Sequence, residues 1–188
     1  MRIIAGSAKG RSLKAVPGNG TRPTTDKVKE ALFSIIGPFF DGGCVLDLFA
    51  GTGGLGLEAL SRGMEKAIFV DSDLRCISVI KDNAKQAGLE QCCEIYRNDA
   101  ARAVRALAKR EQQFDLVFLD PPYRRKDMHE WLVRMQEQGL LAQGAVAVVE
   151  HDAQIVYPDE VGDLRCVRKA SYGDTAITIY NMQGDGDQ

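Results

Sequence analysis

The segment 44–60, CVLDLFAGTGGLGLEAL, constrains the fold of this 188-residue chain more than any other part of it. Its first six residues are mostly apolar and β-favouring, which predicts a buried strand over 44–49. Glycines follow at 51, 53, 54 and 56, and the apolar spacing then predicts a helix over 54–62. Because glycine lets backbone approach a ligand closely and a helix N-terminus presents free N–H groups, this order indicates a site for a nucleotide-like ligand.

Strand and helix patterns alternate through the rest of the chain and predict the α/β class. Strands separated by helices form right-handed βαβ units, so we expect a mostly parallel sheet. Only four residues separate the last two strand patterns, which predicts a hairpin and hence one antiparallel strand near the C-terminus. The seven predicted strands are 44–49, 67–71, 93–97, 114–119, 145–150, 164–170 and 175–181, and the helices between them are 54–62, 73–87, 100–110 and 127–138.

The first forty residues precede this pattern and are predicted to form an extension. Segments 1–5 and 11–16 predict a short N-terminal β-hairpin. Apolar residues at 28, 31, 32, 35 and 36 then predict an amphipathic helix, with Thr25 as its N-cap and Gly37 at its end. The predicted organisation is therefore a basic hairpin and helix over 1–40, a ligand-binding domain over 41–183 and a disordered tail over 184–188.

Charge is distributed unevenly along the chain, although the net charge is only −2. Residues 1–29 hold seven basic residues against Asp26 alone, a balance of +6, so the remainder carries −8. A basic arm on an acidic body predicts contact with nucleic-acid phosphates through one face, and a merely solvated segment is the alternative. The chain has no apolar run of 18 residues, and its five cysteines lack CxxC spacing, so we expect core thiols in a cytoplasmic protein without a membrane segment.

Two cofactors fit the glycine pattern. Gly51-x-Gly53-x-x-Gly56 matches the dinucleotide fingerprint, and Asp71 lies 20 residues beyond Gly51, so an NAD site is open. The Asp47 carboxylate beside the loop would repel a pyrophosphate and attract the ammonium and sulfonium groups of S-adenosylmethionine. The charge therefore favours S-adenosylmethionine, with Asp71 accepting hydrogen bonds from its ribose hydroxyls. A turn or capping role is the alternative for Asp47.

Polar residues also end the third and fourth predicted strands, where ligands of parallel sheets bind. Asp99 would accept a hydrogen bond from an adenine amino group, cap the helix that begins near Ala100, or do both. The fourth strand ends in Asp120-Pro121-Pro122-Tyr123.

These four residues indicate methyl transfer to a nucleobase amine, which is a poor nucleophile because its lone pair is delocalised into the ring. Acceptors on the amine hydrogens, here the Asp120 carboxylate and the Pro121 carbonyl, would hold the amine in line and take up positive charge. The prolines stiffen the loop, and Tyr123 offers a face on which an extruded base stacks. A rigid turn with a core tyrosine is the alternative.

The motif DLFAGTG at 47–53, together with Asp120 to Tyr123, resembles the amino-methyltransferases that use S-adenosylmethionine. The stretches RIIAG at 2–6, KGR at 9–11 and RPTTDKV at 22–28 resemble the RsmD family of bacterial ribosomal RNA guanine-N2 methyltransferases. The resemblance covers about residues 1–182. It implies a Rossmann-like methyltransferase fold, with 41–183 as the methyltransferase domain. It also implies methylation of a guanine N2 amine in small-subunit (16S) ribosomal RNA, within an assembled or partly assembled 30S subunit.

The candidate residues follow from the motifs and the resemblance. The catalytic set is Asp120, Pro121, Pro122 and Tyr123. The cofactor set is Asp47, Phe49, Ala50, Gly51, Thr52, Gly53, Asp71, Ser72, Asp99, Ala100 and Asp120. The RNA-contacting set is Arg2, Lys9, Arg11, Arg22, Arg124, Arg125 and Lys126. No metal site is expected, because neither His129 nor His151 has a partner at ligand spacing.

Three other functions stay open at this point. The catalytic loop fits an adenine-N6 or cytosine-N4 methyltransferase acting on DNA or RNA equally well, and only the N-terminal resemblance favours guanine. The glycine spacing admits an NAD-dependent oxidoreductase. A non-catalytic ribosome-assembly factor that kept the fold is a third alternative, against which the intact catalytic loop argues.

Overall fold

The structure, a computed structural model, describes residues 1–18, 24–122 and 125–184. The helices within these ranges are α1 (Asp26–Ile36), α2 (Gly54–Ser61), α3 (Leu74–Gln86), α4 (Ala100–Lys109) and α5 (Met128–Glu137). The strands are β1 (Cys44–Leu48), β2 (Lys66–Asp71), β3 (Cys93–Arg97), β4 (Phe114–Leu119), β5 (Leu141–Asp152), β6 (Glu160–Val161), β7 (Leu164–Tyr172) and β8 (Thr175–Met182).

The strands of the described ranges form one eight-stranded sheet in the order β3-β2-β1-β4-β5-β8-β7-β6. Strands β1 to β5 are parallel, and β8 pairs antiparallel with both β5 and β7. The mostly parallel sheet with an antiparallel strand near the C-terminus is therefore confirmed. The expected number of seven strands is wrong, because the two-residue strand β6 pairs antiparallel with β7 and adds an eighth. Two residues are too few to show a hydrophobic period.

Helices cover both faces of the sheet and bury two apolar clusters. Val45 of β1 faces the cluster that contains residues of α1, α2 and α3. Its neighbours Leu46 and Leu48 face the opposite cluster, with residues of α4 and α5. This alternation follows from the period of two in a strand. The carboxyl ends of the parallel strands β1, β2, β4 and β5 lie together at one end of the sheet.

The first helix, α1, begins and ends where the sequence predicts. The Thr25 hydroxyl accepts a hydrogen bond from the Val28 N–H at 3.3 Å, and Gly37 follows the last turn with φ 128°. Leu32 and Phe33 are buried in the cluster that also contains Val45. Residues on both sides of the predicted boundary at position 40 therefore share one core.

The predicted N-terminal strands are not formed as regular strands. The hairpin itself is present: one antiparallel bridge, between Arg2 and Ser12, and backbone hydrogen bonds between 1–3 and 10–13 join its two segments. The segment also packs against α2. The Ala8 N–H donates to the Ser61 hydroxyl at 2.9 Å, and that hydroxyl donates to the Ala5 carbonyl at 2.6 Å. The backbone groups of this segment are thus satisfied partly by a distant helix, a pairing that no local sequence pattern reveals.

Lys29 belongs to the basic arm by sequence but is fully buried in the fold, at 1% exposure. Its Nζ donates to the Arg2 carbonyl at 2.6 Å and lies 3.7 Å from Glu58 Oε1. Arg62 Nε lies 3.7 Å from the other Glu58 oxygen. Burial lowers the pKa of Lys29, while the charge of Glu58 opposes that shift. Lys29 therefore links α1 to α2 and does not present its charge on the protein surface.

Three further findings concern the composition. None of the helices in the described ranges is long and apolar enough to cross a membrane. All five cysteines are free thiols. Cys76 is buried, as predicted for a core thiol, and the other four are partly exposed. Of the predicted disordered tail, residues 185–188 lie outside the described residues.

Candidate active site

A cavity of about 740 Å³ opens where the carboxyl ends of β1, β2, β4 and β5 meet. This volume is typical of small-molecule sites. The predicted cofactor residues that line it are Asp47, Phe49, Ala50, Gly51, Thr52, Asp71, Ser72, Asp99, Ala100 and Asp120. Gly53 is absent from the described lining; it caps α2 in the left-handed conformation with φ 78°.

The loop after β1 is held in an unusual backbone path. Phe49 and Gly51 have φ values of 64° and 57°, in a region that side chains rarely adopt. The Thr52 hydroxyl accepts from the Gly54 N–H at 3.2 Å, which fixes the first turn of α2. A Cβ added to Gly56 would lie 2.4 Å from the Phe69 ring. The fourth glycine therefore serves helix-to-sheet packing, not ligand contact.

Asp47 lies inside β1 and is buried at 1% exposure. Its Oδ2 accepts a hydrogen bond from the Gly56 N–H at 3.1 Å. Burial raises the pKa of Asp47 to about 8, although that hydrogen bond opposes the shift. The folded structure therefore favours the protonated form of Asp47 more than solvent would, and a cation in the cavity would oppose that shift.

Asp71 is the last residue of β2, and Asp99 directly precedes α4. Asp71 Oδ2 accepts from the Gly51 N–H at 3.0 Å, and Oδ1 accepts from the Asp73 N–H at 2.9 Å. A carboxylate has further lone pairs, so Asp71 can also accept from ligand hydroxyls. Asp99 caps α4 by accepting from the Arg102 N–H at 2.8 Å, and it lines the cavity as well. The capping alternative for Asp99 is confirmed, and it is compatible with ligand contact.

The predicted catalytic loop borders the same cavity. Asp120, Pro121 and Pro122 line it, and Tyr123 lies outside the described residues. The pKa of Asp120 is raised well above its ordinary range, first by desolvation and then by the carboxyls of Glu150 and Asp47. Such a carboxyl holds its proton more firmly, and when ionised it is a stronger hydrogen-bond acceptor and base.

Glu150 is a cavity residue that the sequence reasoning missed. It lies in β5, beside Asp120, because Leu119 pairs with Val149 in the parallel register. Its Oε2 accepts from the Thr24 hydroxyl at 2.8 Å, and burial raises its pKa while this hydrogen bond lowers it. The carboxyl-end rule applied to the fifth predicted strand, which ends at position 150, would have found it.

Arg125 was expected to contact RNA but is engaged within the protein. Its guanidinium carbon lies 5.3 Å from the Phe49 ring centroid and 5.7 Å from that of Trp131. Arg125 Nη2 also lies 2.7 Å from Asp127 Oδ2. These contacts tie the chain just after the catalytic loop to the loop after β1 and to α5.

The other expected RNA contacts divide into two groups. Arg2, Lys9, Arg11 and Lys126 are exposed, and Arg2 Nε lies 3.3 Å from Asp26 Oδ2. Arg22 and Arg124 lie outside the described residues. Among the described residues, no group of three or more His, Cys, Asp or Glu is arranged to hold a metal ion.

A family model described as "Conserved hypothetical protein 95" matches residues 1–181. "Ribosomal RNA small subunit methyltransferase D" of Escherichia coli K12 is 34% identical over 190 residues, which cover 100% of this chain and 92% of that protein. The chain belongs to the RsmD family. The family predicted from the motifs is therefore confirmed.

Other relatives agree with the RsmD assignment. YlbH of Bacillus subtilis, provisionally named an rRNA methyltransferase, is 53% identical over 98% of this chain and 100% of its own length. The solved structure of YhhF from Escherichia coli, provisionally described as a methyltransferase, has a TM-score of 0.81 at 32% identity and covers 98% of this chain and 99% of its own. An RNA methyltransferase from Salinibacter ruber, solved with S-adenosyl-L-homocysteine, shares the fold of this RsmD-family chain at 17% identity and TM-score 0.63, covering 87% and 95%.

Proposed function

We propose that this chain transfers a methyl group from S-adenosylmethionine to the exocyclic N2 amine of a guanine in 16S ribosomal RNA. The observation that carries the proposal is that Asp120, Pro121 and the glycine loop at 51–54 border one cavity. A methyl donor and a base amine held there would meet at the carboxyl ends of adjacent strands β1 and β4. Membership in the RsmD family supports the same reaction.

The cavity residues fit S-adenosylmethionine, which supplies an electrophilic methyl group on a positively charged sulfur. Asp71 would accept from the ribose hydroxyls, and the Asp99 carboxylate would accept from the adenine amine. Asp47 lines the cavity on the side of the glycine loop, and a cation beside it would stabilise its ionised form. A dinucleotide would instead bring a pyrophosphate beside the Asp47 and Asp71 carboxyl groups, which offer it no positive charge.

Asp120 and the Pro121 carbonyl would position the methyl acceptor. Both accept hydrogen bonds from the amine, which aligns its nitrogen with the methyl group and favours the positive charge that develops during transfer. The nitrogen–carbon bond forms as the carbon–sulfur bond breaks, the sulfonium becomes a neutral sulfide, and the amine releases one proton. Asp120 or a water molecule takes that proton.

Ribosomal RNA as the substrate is supported by the name of the Escherichia coli relative and by the exposed basic residues Arg2, Lys9, Arg11 and Lys126. Phosphate contacts from these side chains would orient the RNA, and the target base would then be extruded into the cavity. Arg22, Arg124 and Tyr123 belong to the same proposal by sequence.

Transfer of radiolabelled methyl to naked small-subunit RNA and to isolated 30S subunits, followed by nucleoside analysis, tests the proposal. We expect N2-methylguanosine as the product, with Asp120→Ala inactive and still able to bind S-adenosylmethionine in calorimetry. Asp115→Asn, a carboxylate change at the opposite end of β4, is the matched control and should stay active. A product of N6-methyladenosine, or affinity for NAD instead of S-adenosylmethionine, would contradict the proposal.

A further inference from the structure

Glu150 and Asp120 place two carboxyl groups side by side at the acceptor end of the cavity. Leu119 of β4 pairs with Val149 of β5, so the next residue of each strand is an acid. Both acids line the cavity, and the charge of Glu150 contributes to the raised pKa of Asp120. Glu150 is therefore a further acceptor beside Asp120, in addition to the two groups proposed to hold the amine, Asp120 and the Pro121 carbonyl.

The second acceptor is held in place from outside the sheet. Thr24 precedes α1, and its hydroxyl donates to Glu150 Oε2 at 2.8 Å. Within the described ranges, no residue donates a hydrogen bond to the other oxygen, Oε1. Glu150 thus keeps a free acceptor position in a partly buried carboxyl group whose orientation is fixed. A buried acceptor of this kind favours a ligand that brings a donor.

Two adjacent acceptors match guanine and no other amino base. On guanine, the N2 amine lies next to N1–H, so the edge presents two donors in a row. On adenine, the N6 amine lies next to a bare N1, and on cytosine, the N4 amine lies next to a bare N3. Either of these ring nitrogens would direct its lone pair at the second carboxylate. The resulting unpaired, repulsive contact is a strong basis for rejecting a substrate.

We propose that Glu150 accepts a hydrogen bond from N1–H of the target guanine, beside Asp120 on the N2 amine, and thereby selects guanine against adenine and cytosine. This inference rests on the proposed function and names the residue behind its base specificity. Thr24 acts as a positioning residue, because it orients Glu150. The N-terminal segment that contains Thr24 then contributes to choosing the base as well as to contacting RNA.

The test compares guanine with 2-aminopurine at the methylated position of a synthetic RNA, offered naked or within subunits as the preceding experiment requires. 2-Aminopurine keeps the N2 amine but has a bare N1. The wild-type protein should prefer guanine by at least about tenfold in kcat/KM. In Glu150→Gln the side-chain amide can donate to the bare N1, so the preference should fall at least about tenfold. The difference in intrinsic reactivity between the two amines cancels when the preference of E150Q is divided by that of the wild type.

Controls separate this role from a structural one. Glu160→Gln, an exposed glutamate in β6, should leave the preference unchanged. Calorimetric affinity for S-adenosylmethionine reports whether E150Q is folded; if that affinity is lost, Thr24→Val, which removes only the hydroxyl contact, decides by the same ratio. We expect T24V to lower the preference several-fold.

An unchanged preference in E150Q, or in T24V where E150Q does not fold, overturns the role of Glu150 while the proposed function stands. Failure of the wild-type protein to methylate guanine at all overturns both proposals.

Discussion

Asp71 and Gly51 are joined by a hydrogen bond of 3.0 Å from the Gly51 N–H to Asp71 Oδ2. The bond connects the end of β2 to the glycine loop after β1, two segments that both line the cavity. The same carboxylate accepts from the Asp73 N–H through its other oxygen. One side chain therefore sets the shape of the loop and is available to ligand hydroxyls.

Replacing Asp71 should weaken cofactor binding. In Asp71→Asn only one of the two backbone N–H groups keeps an acceptor and the negative charge is lost, so affinity for S-adenosylmethionine should fall roughly 10- to 100-fold, as expected for a charge-assisted hydrogen bond. Isothermal titration calorimetry measures this change. Asp115→Asn is the control, because Asp115 also accepts from a backbone N–H, that of Cys44, far from the cavity. Equal affinities of D71N and wild type would contradict the prediction.

Arg125 should act on the catalytic loop and not on RNA affinity. Arg125→Lys keeps the charge but loses the planar stack between Phe49 and Trp131 and the paired contact with Asp127. We expect kcat for methyl transfer to fall several-fold, with little change in RNA affinity or its salt dependence.

Lys126→Ala provides the comparison for Arg125, because Lys126 is exposed. A lysine on phosphate should lower RNA affinity and reduce the salt slope by about one unit. RNA binding measured at several salt concentrations distinguishes the two roles. Arg125→Ala, which removes the charge, completes the comparison: a salt slope reduced in R125A as in K126A would restore the RNA contact predicted from sequence.

Gly6 and Gly10 form a matched pair for testing the docking of the N-terminal segment on α2. Both have left-handed φ values, 89° and 84°. A Cβ on Gly6 would lie 1.8 Å from the Ser61 carbonyl oxygen, whereas one on Gly10 meets nothing within 4 Å. Gly10→Ala should cost about 1 kcal/mol from backbone strain alone. Gly6→Ala should cost about 1 to 3 kcal/mol more, because the segment must move away from α2.

Urea denaturation of the two alanine variants measures both free energies of unfolding. Equal losses would show that the close approach of Gly6 to α2 contributes nothing to stability.

Asp47 should make stability depend on pH in the direction opposite to that of a salt-bridged acid. Its folded pKa of about 8 lies above the ordinary value of 3.8, so the folded state binds the extra proton between these limits. The contribution is complete below about pH 4 and is lost as pH rises through 8. Asp47→Asn mimics the neutral acid, so its stability relative to wild type should rise by more than about 1 kcal/mol between pH 5 and pH 9.

Urea denaturation at pH 5, 7 and 9 without ligand checks this prediction for Asp47. A constant difference between D47N and wild type across this range would mean that Asp47 is already ionised in the folded protein.

Much of the fold was predictable because its elements are locally consistent. Helix α1 carries its own cap at Thr25 and its own apolar stripe, and the strands 93–97 and 114–119 agree with the structure to the residue. The elements that the sequence predicted incompletely have two different causes. Strand β6 has only two residues, too few to show a period, and is defined by its pairing with β7 across the turn at 162–163. Residues 1–18 pair with each other in part and satisfy further backbone groups on α2, which lies far away in sequence.

The sequence by itself determined the order of strands and helices, the family motifs and most of the residues at the carboxyl ends of the strands. These depend on local periodicity and on topology rules that need no coordinates. Only the tertiary structure decided the state of the charges. Lys29 is buried beside Glu58, burial raises the pKa of Asp47, and Glu150 lies beside Asp120. Burial and the distance to other charges set a pKa or a contact, and both are properties of the folded chain.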